Sequence, residues 1–198
     1  PKSLLRSGTR HMPPCTTSKR TPCAPSAANR AAIDRKVKRN GQVALWLYAP
    51  GCIDGGRWDP RKAERLCGIR LASHEEETPF AVTVTEAAHP ITQGLFETTY
   101  GAIGTAGGRV RADEWSGTVR PLDQPADWVA RMAETLCRPT VYADDPEAKT
   151  LGYLAGLPRA GLAVKDCGDW TSVYSSAAPL PPALFRNIAR LARVHLYV

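Results

Sequence analysis

The stretch "TLGYLAGLPRAGLAVKDCGDWTSVYSS", residues 150–176, holds three strand-like runs in quick succession. The runs "TLGYLAG", "AGLAVKD" and "WTSVYSS" are rich in apolar, aromatic and β-branched residues, and the short words "LPR" and "CGD" separate them. Strands with such short connections pair with their neighbours along the chain. The stretch therefore predicts an antiparallel meander that is added to a sheet.

A second apolar run, "QVALWLYAPG" at residues 42–51, is apolar at nearly every position. Such a run is typical of a strand that is covered on both faces. The word before it, "NRAAIDRKVKRNG", predicts a short helix with Ala32, Ile33 and Val37 toward the core and an end at its Asn-Gly pair. A helix that leads into a doubly covered strand predicts part of a parallel α/β sheet.

Three further elements are predicted between these two regions. Asp59 followed by a proline is typical of a helix start, so "PRKAERLC" predicts a helix that Gly68 ends. The alternating run "PFAVTVT" predicts a strand that reaches Thr85, and the chain then turns at His89. Farther along, the spacing of apolar residues in "PADWVARMAETLC", residues 125–137, predicts a helix.

Two elements flank the meander. The word "TVY" predicts a short strand, and Asp144 and Asp145 follow it before a proline. We interpret this acidic pair as a turn and not as a metal site, because no third ligand is evident. The final word "PLPPALFRNIARLARVHLYV" predicts a proline-opened helix with Leu184, Ile188 and Leu191 on one stripe, and then a strand "VHLYV".

The basic charge of the chain belongs to its first part. The formal net charge is +7, but residues 1–40 hold ten basic residues against Asp34 alone, and the remainder has a net charge of −2. Residues 1–28 are rich in Pro, Ser and Thr without hydrophobic periodicity, which predicts a disordered segment, and residues 29–198 predict one folded domain. The near-neutral body does not favour a nucleic-acid partner. No apolar run has the length of a membrane helix or the character of a signal peptide, so we expect no membrane partner, and the compartment stays open.

Six cysteines stand at positions 15, 23, 52, 67, 137 and 167. None of their spacings is Cys-x-x-Cys, and no two histidines lie close enough along the chain to ligate one metal. The sequence therefore predicts no structural zinc, no other metal and no cofactor. A chain of this length with its own core does not need disulfides, so we expect most of the cysteines to be reduced.

The order of elements and several particular words resemble a known family. The words are "RAAIDRKVKRNGQVALWLYAPG", "HPITQGL", "TLGYLAGLPRAGLAVKD" and "DWTSVYSSAAPLPPALFRNIARLARVHLY". Together they resemble the trimerisation-type domain of bacterial β-galactosidases and related glycoside hydrolases. That domain has a fold similar to the class I glutamine amidotransferases. The resemblance covers about residues 29–198.

The resemblance implies a three-layer α/β fold, with a flavodoxin-like or glutamine-amidotransferase-like sheet, helices on both faces and an antiparallel C-terminal meander. It implies a homo-oligomer, a trimer, whose catalytic carboxylates lie in a separate glycoside hydrolase domain. This chain would then be a non-catalytic oligomerisation or accessory domain that borders the sugar site. The resemblance also implies a further strand–helix unit before the first helix, so the domain is expected to be N-terminally incomplete here.

An enzymatic alternative centres on Cys52, in the word "WLYAPGCIDGG". Active amidotransferases of this fold present the nucleophile in a Gly-x-Cys-x-Gly turn and supply a late His-x-Glu word. Here Gly51 is adjacent to the cysteine, Asp54 stands two residues after it, and the late word is missing. We therefore interpret Cys52 as a loop residue of a degenerate site. The alternative is an amidotransferase-like hydrolase that uses Cys52 with His89, a residue better interpreted as a turn former.

The remaining candidate residues are aromatic, acidic or basic. A carboxylate can contact a sugar hydroxyl and a tryptophan can stack on a pyranose, although each tryptophan also suits a core or an interface. The predicted ligand-bordering residues are Asp54, Trp58 and Trp170. Aromatic residues and arginine are enriched at subunit contacts. The predicted interface residues, on or near the polar stripe of the C-terminal helix, are Phe185, Arg186, Arg190 and Arg193.

Overall fold

The computed structural model describes residues 25–54, 57–76, 78–101, 136–137 and 139–195. These residues form a mixed α/β arrangement in which strands predominate. The helices are α1 (Ala27–Lys36), α2 (Glu64–Cys67) and α3 (Pro182–Leu191), with 3-10 helices at Pro60–Ala63 and Pro90–Thr92. The strands are β1 (Gln42–Leu47), β2 (Ile53–Asp54), β3 (Arg57–Trp58), β4 (Leu71–His74), β5 (Thr78–Pro79), β6 (Ala81–Val84), β7 (Thr99–Gly101), β8 (Leu136–Cys137), β9 (Thr140–Ala143), β10 (Lys149–Leu154), β11 (Ala160–Asp166) and β12 (Trp170–Ser175).

The predicted antiparallel meander is confirmed. Strands β10, β11 and β12 are neighbours in an eight-stranded sheet with the order β1-β12-β11-β10-β6-β7, and β9 and β4 join it through β11. Turns of a few residues connect the three meander strands, as their spacing predicts. The meander therefore forms the centre of the sheet rather than an addition to it.

Strand β1 is parallel to β12, in an unbroken register from Gln42 opposite Trp170 to Leu47 opposite Ser175. It is the only parallel pair among the described strands, because every other pairing is antiparallel. The prediction that β1 is covered on both faces is wrong, since Ala44 is its only buried residue. Among the described strands β1 pairs with β12 alone and lies at an end of the sheet, and its apolar side chains are only partly covered.

Two apolar clusters lie on opposite faces of the central strands. In β11 and β12, Leu162 and Val173 belong to the first cluster, whereas the neighbouring Ala163 and Tyr174 belong to the second. Helix α3 supplies Leu184 and other residues to the first cluster. The second cluster is closed by residues from α2, β4 and β9. Because that face is covered largely by strands and by a four-residue helix, the predicted three layers with helices on both faces are not confirmed.

Helix α1 differs from its prediction in three respects, and the first is its end, which lies at Lys36 and not at the Asn40-Gly41 pair. It begins at Ala27, with the side chain of Ser26 accepting a hydrogen bond from the Asn29 N–H, and so starts before the predicted domain boundary at Asn29. None of its residues is buried, so the prediction of a core-facing stripe is wrong. The spacing of Ala32 and Ile33 allowed a helix, but the few apolar residues on it form no distinct face. Residues 1–24 of the predicted disordered segment lie outside the described part.

The helix predicted after the glycine loop is confirmed. Asp59 accepts a hydrogen bond from the Arg61 N–H, a 3-10 turn opens at Pro60, and α2 follows it. Gly68 ends α2 in the left-handed conformation at φ 74°, where an added Cβ would also lie 2.9 Å from the ring of Trp170. Glycine is therefore required at this position for both its backbone angle and its size.

Two boundaries predicted near the C-terminal half need correction. The helix predicted over residues 125–137 does not reach its end, because β8 pairs with β5 there, and residues 125–135 lie outside the described part. Helix α3 is confirmed, with Leu184 and Ile188 buried. No strand follows it at Val194 and His195, and residues 196–198 of the predicted final strand are also outside the described part.

Candidate functional site

The carboxyl ends of β1 and β12 meet at one end of the sheet, where α/β enzymes commonly place their chemistry. Tyr48, the residue after β1, has φ 57°. A left-handed backbone is uncommon for a residue other than glycine and clusters at functional sites. Enzymes with a nucleophile elbow hold the nucleophile in such a strained turn directly after a strand. The structure therefore places the strained residue after this strand at Tyr48, four residues before the cysteine that the sequence indicated.

Hydrogen bonds of its backbone and side chain, together with a ring contact, hold Tyr48 in place. Its hydroxyl donates to the Pro139 carbonyl at 2.8 Å, and its ring packs edge-to-face on Phe80 with the centroids 5.7 Å apart. Its N–H donates to the Ser175 carbonyl at 2.8 Å, and its carbonyl accepts from the Tyr174 hydroxyl at 2.7 Å. A carbonyl accepts the phenolic hydrogen bond without removing the proton, so this contact does not activate Tyr48 as a nucleophile.

Cys52 follows a turn in which its N–H donates to the Ala49 carbonyl. Its side chain is fully buried in the second cluster. Burial first, and then the nearby Cys67 and Asp59, raise the pKa of the Cys52 thiol to about 12. Since the thiolate is the reactive form, only about one thiol in 10⁵ is ionised at pH 7. This environment is the opposite of the electropositive, accessible surroundings that activate a catalytic cysteine.

His89 lies in a different environment from Cys52. Its Nδ1 accepts a hydrogen bond from the Ile91 N–H at 3.2 Å and caps the second 3-10 helix, so the prediction of a turn former is confirmed. Ile91 belongs to the first cluster, whereas Cys52 belongs to the second. Burial and the Lys149 charge lower the pKa of His89, and Glu86 opposes them. The residue that His89 caps and Cys52 therefore lie in different clusters, so the structure does not bring the two alternative catalytic residues together.

The three predicted ligand-bordering residues are separated into two places. Asp54 and Arg57 are opposite each other in the β2–β3 pair, and Trp58 follows with 39% of its surface exposed. Trp170 is only 7% exposed, and the Lys38 ammonium lies 5.5 Å from its ring centroid. With its ring also packed under Gly68, Trp170 offers no open face for a sugar, and its role as a core anchor is the better description.

The acidic pair after β9 forms a turn, as predicted, and also an ion pair that the sequence did not indicate. Asp145 accepts from the Glu147 N–H within the turn, and the Lys165 ammonium of β11 lies 2.9 Å from the carboxylates of both Asp145 and Glu147. Burial alone would raise the pKa of Asp145, but hydrogen bonds from Lys165 and the Arg70 N–H outweigh it and lower that pKa. The signal for this contact was weak, since Lys165 and Asp145 are twenty residues apart.

The predicted interface residues all lie on the surface. Phe185 of α3 is 59% exposed, and Arg186, Arg190 and Arg193 are also exposed. Arg193 has φ 55° beyond the end of the helix, so it is not part of the stripe that Arg186 and Arg190 share. Sequence reasoning missed Asn187, whose buried amide donates to the Ile91 and Gln93 carbonyls and fixes α3 to the second 3-10 helix. A polar residue next to a buried apolar stripe was the available signal.

The described residues contain no group of three or more His, Cys, Asp and Glu residues placed to hold a metal. Cys52, Cys67 and Cys167 are free thiols, as expected for reduced cysteines. No helix in the described ranges has both the length and the apolar character required to cross a membrane.

Comparisons of this chain with protein-family models, with curated proteins and with solved structures found no match. The resemblance to the β-galactosidase trimerisation-type domain thus depends on the sequence words themselves.

Proposed function

We propose that this chain is a non-catalytic oligomerisation and accessory domain of a β-galactosidase-like glycoside hydrolase, in which it builds a trimer and borders the sugar site. One observation carries the assembly part of the proposal. Phe185 is 59% exposed on a helix whose other side is anchored in the core through Leu184 and Ile188. A rigid helix that presents a phenylalanine to the surface is suited to a contact with another chain.

The surroundings of Phe185 support an interface. Arg186 and Arg190 are exposed on the same helix, and Asn187 fixes the helix position through two hydrogen bonds to backbone carbonyls. Aromatic residues and arginine are the types enriched at the centre of protein interfaces. Full burial of a phenylalanine contributes about 1.5–3 kcal/mol per subunit, which is a useful anchor when the helix is already ordered.

Two features support the absence of catalysis in this chain. The strained position after β1 is occupied by Tyr48, whose hydroxyl is bound to a backbone carbonyl. The nearby Cys52 is buried, and its thiol pKa is raised to about 12. Neither side chain has the activated form that nucleophilic catalysis needs. Trp58, half-exposed near the β2–β3 turn, is the better of the two tryptophans for bordering a sugar. The trimeric state and the glycoside hydrolase partner rest on the resemblance of the sequence.

The test is the solution mass of the whole chain, measured by light scattering over a range of concentrations, for the natural sequence and for Phe185→Glu. We expect a mass that is a multiple of three chains and that falls in Phe185→Glu, because a carboxylate cannot be buried at the three-chain contact without a partner. Tyr153→Glu is the matched control, since Tyr153 is 42% exposed on the interior strand β10. A single-chain mass at every concentration, or equal effects of both variants, would contradict the proposed assembly.

The non-catalytic part has its own test. If the chain shows hydrolase activity that Cys52→Ala abolishes while the far-ultraviolet circular dichroism stays unchanged, then the enzymatic alternative is correct. We expect Cys52→Ala to leave any measured activity unaffected.

A further inference from the structure

The outer edge of β1 has neither a partner strand nor a protective residue among the described parts of the chain. Among the described residues β1 pairs with β12 alone, so the main-chain groups on its other side have no strand partner. Edge strands are normally protected by lysine, proline, a bulge or a very short length. Strand β1, "QVALWL", has six residues without charge or proline, and its register with β12 is unbroken. This edge is therefore competent to pair with a further strand.

The side chains of β1 indicate which side chains an added strand needs. Val43 and Leu45 pack in part against the first cluster, and Trp46 packs in part against the second cluster on the other face. Leu47 is 44% exposed. The surface beyond the edge is thus apolar on both faces of the sheet. An added strand must then be apolar at successive positions and not at alternate ones, because its side chains alternate between the two faces.

The element that precedes β1 does not close this surface. Helix α1 contributes no buried residue to either cluster. Its connection to β1 carries Lys38, whose ammonium is paired with Asp34, and Arg39, which is exposed. Arg39 gives one end of the edge a positive charge that the uncharged strand itself does not have.

We infer that the outer edge of β1 pairs antiparallel with β1 of a second copy of this chain, which joins the two sheets across a two-fold axis. Strand β1 itself has the required five successive apolar residues, Val43–Leu47, and no charge that would face a like charge. Antiparallel pairing separates the basic ends of the two strands by about 20 Å, whereas parallel pairing would bring them together. A two-fold axis uses the same patch on both copies and closes the assembly. This contact is separate from the α3 surface and does not rest on the proposed function.

The experiment compares Leu47→Lys with Tyr153→Lys in the whole chain. The two residues have similar exposed fractions, 44% and 42%, but Tyr153 lies on a strand paired on both sides. Because lysine opposes edge pairing, we expect Leu47→Lys to weaken the two-chain species at least tenfold in its dissociation constant. Tyr153→Lys should leave that constant within about twofold. Both masses are measured by sedimentation over a concentration series, and circular dichroism checks that each variant is folded.

Hydrogen exchange of the β1 amides provides the second measurement. Protection of the outward-facing amides should rise with protein concentration if two copies pair here. Protection that is independent of concentration in a single-chain species would show that another segment of the same chain covers the edge, and this would overturn the inference. A mass that does not respond to Leu47→Lys would overturn it as well.

Phe185→Glu separates this inference from the proposed function. If Phe185→Glu lowers the mass and Leu47→Lys does not, the α3 contact stands and the β1 pairing fails. If only Leu47→Lys lowers the mass, the β1 pairing stands and the α3 contact fails. If both variants are needed to reach single chains, the two interfaces coexist.

Discussion

Strands β1 and β12 pair with each other but differ in how far their side chains are buried. Both have six residues, they run parallel, and their register is unbroken. In β12 every residue except Thr171 is buried, whereas in β1 only Ala44 is buried. The sequence of β1 is the more apolar of the two, yet it is the less covered. The comparison teaches that the hydrophobicity of a strand does not by itself decide how far the strand is buried in this sheet.

The polar side-chain groups of the two strands also differ in how far hydrogen bonds satisfy them. In β12 the Tyr174 hydroxyl lies within hydrogen-bond distance of the Tyr48 and Val141 carbonyls, and the Ser175 hydroxyl bonds to Tyr100 and to the Ala177 carbonyl. In β1 the Trp46 indole N–H is inaccessible to solvent and has no hydrogen-bond partner. Surrounding elements satisfy the central strand from several sides, while the edge strand leaves a donor without an acceptor.

The largest expected difference between the strands comes from truncating their aromatic residues. Tyr174 and Trp46 are register partners and contribute to the same cluster. We expect Tyr174→Ala to lower the free energy of unfolding by about 3–5 kcal/mol and Trp46→Ala by about half as much, because Trp46 is only partly buried. Urea denaturation with a common m value measures both changes. Equal losses in the free energy of unfolding at low protein concentration would contradict the difference between the strands, since Trp46 in β1 would then be as well covered as Tyr174 in β12.

The next effect concerns the ion pair that holds the central strand β11. Lys165→Met leaves the carboxylate of Asp145 without its cation, and the Asp145 side chain is only 4% exposed. We expect a loss of about 3 kcal/mol at pH 7. The control Lys149→Met removes a lysine that is 53% exposed and lies 3.3 Å from Glu86, and it should cost about 0–1 kcal/mol. Chemical denaturation at pH 7 separates the two values.

The pH dependence of that loss follows from the directions of the two pKa shifts. The Asp145 pKa is lowered, so its contribution is present above the unfolded value of about 3.9 and is lost as pH falls through the folded pKa. For Lys165 burial would lower the pKa, but the bonds to Asp145 and Glu147 raise it, so its contribution is present below about 10.4 and is lost as pH rises through the folded pKa. The difference between the natural chain and Lys165→Met should therefore be largest from about pH 4 to 10 and shrink below pH 4. A difference that stays constant down to pH 2 would exclude this ion pair as its cause.

The smallest expected effect on the free energy of unfolding is the difference between replacing two adjacent serines at the end of β12. The Ser175 hydroxyl is bonded at 2.7 Å to Tyr100 and at 2.8 Å to the Ala177 carbonyl, whereas the buried Ser176 hydroxyl has no partner. We expect Ser175→Ala to cost about 1–3 kcal/mol and Ser176→Ala to be neutral or slightly stabilising. Thermal unfolding of the two variants side by side is sufficient. A larger cost for Ser176→Ala would mean that its hydroxyl has an acceptor.

Much of the local structure could be predicted from the sequence. The meander, the Asp59 helix start, the Gly68 stop and the stripe of α3 were all predicted, because each depends on residues close together in the chain. The predictions of a core-facing stripe on α1 and of full coverage of β1 were wrong. Both failures concern which other elements pack nearby, and neither hydrophobic spacing nor an apolar run contains that information.

The candidate site was less predictable than the fold. The sequence drew attention to Cys52 through its glycine-rich surroundings, but the strained residue after the strand is Tyr48, and no local word marks it. Trp170 was predicted to border a ligand, but its ring instead packs against Gly68, which is 102 residues earlier in the chain. Exposure and backbone strain depend on contacts between distant segments. The sequence alone therefore cannot show which of the candidate residues belongs to a functional site.

By itself the sequence determined the meander, the Asp59 helix start, the Gly68 helix end, the α3 stripe and the placement of the basic charge in the first forty residues, because propensity, capping and charge are local properties. Only the tertiary structure decided that β1 is an edge and β12 a centre, that Lys165 meets Asp145, that Cys52 is buried with an unreactive thiol and that Tyr48 takes the strained position. The physical reason is the same in each case. Burial, pairing and strain are set by groups that come together only when the chain folds.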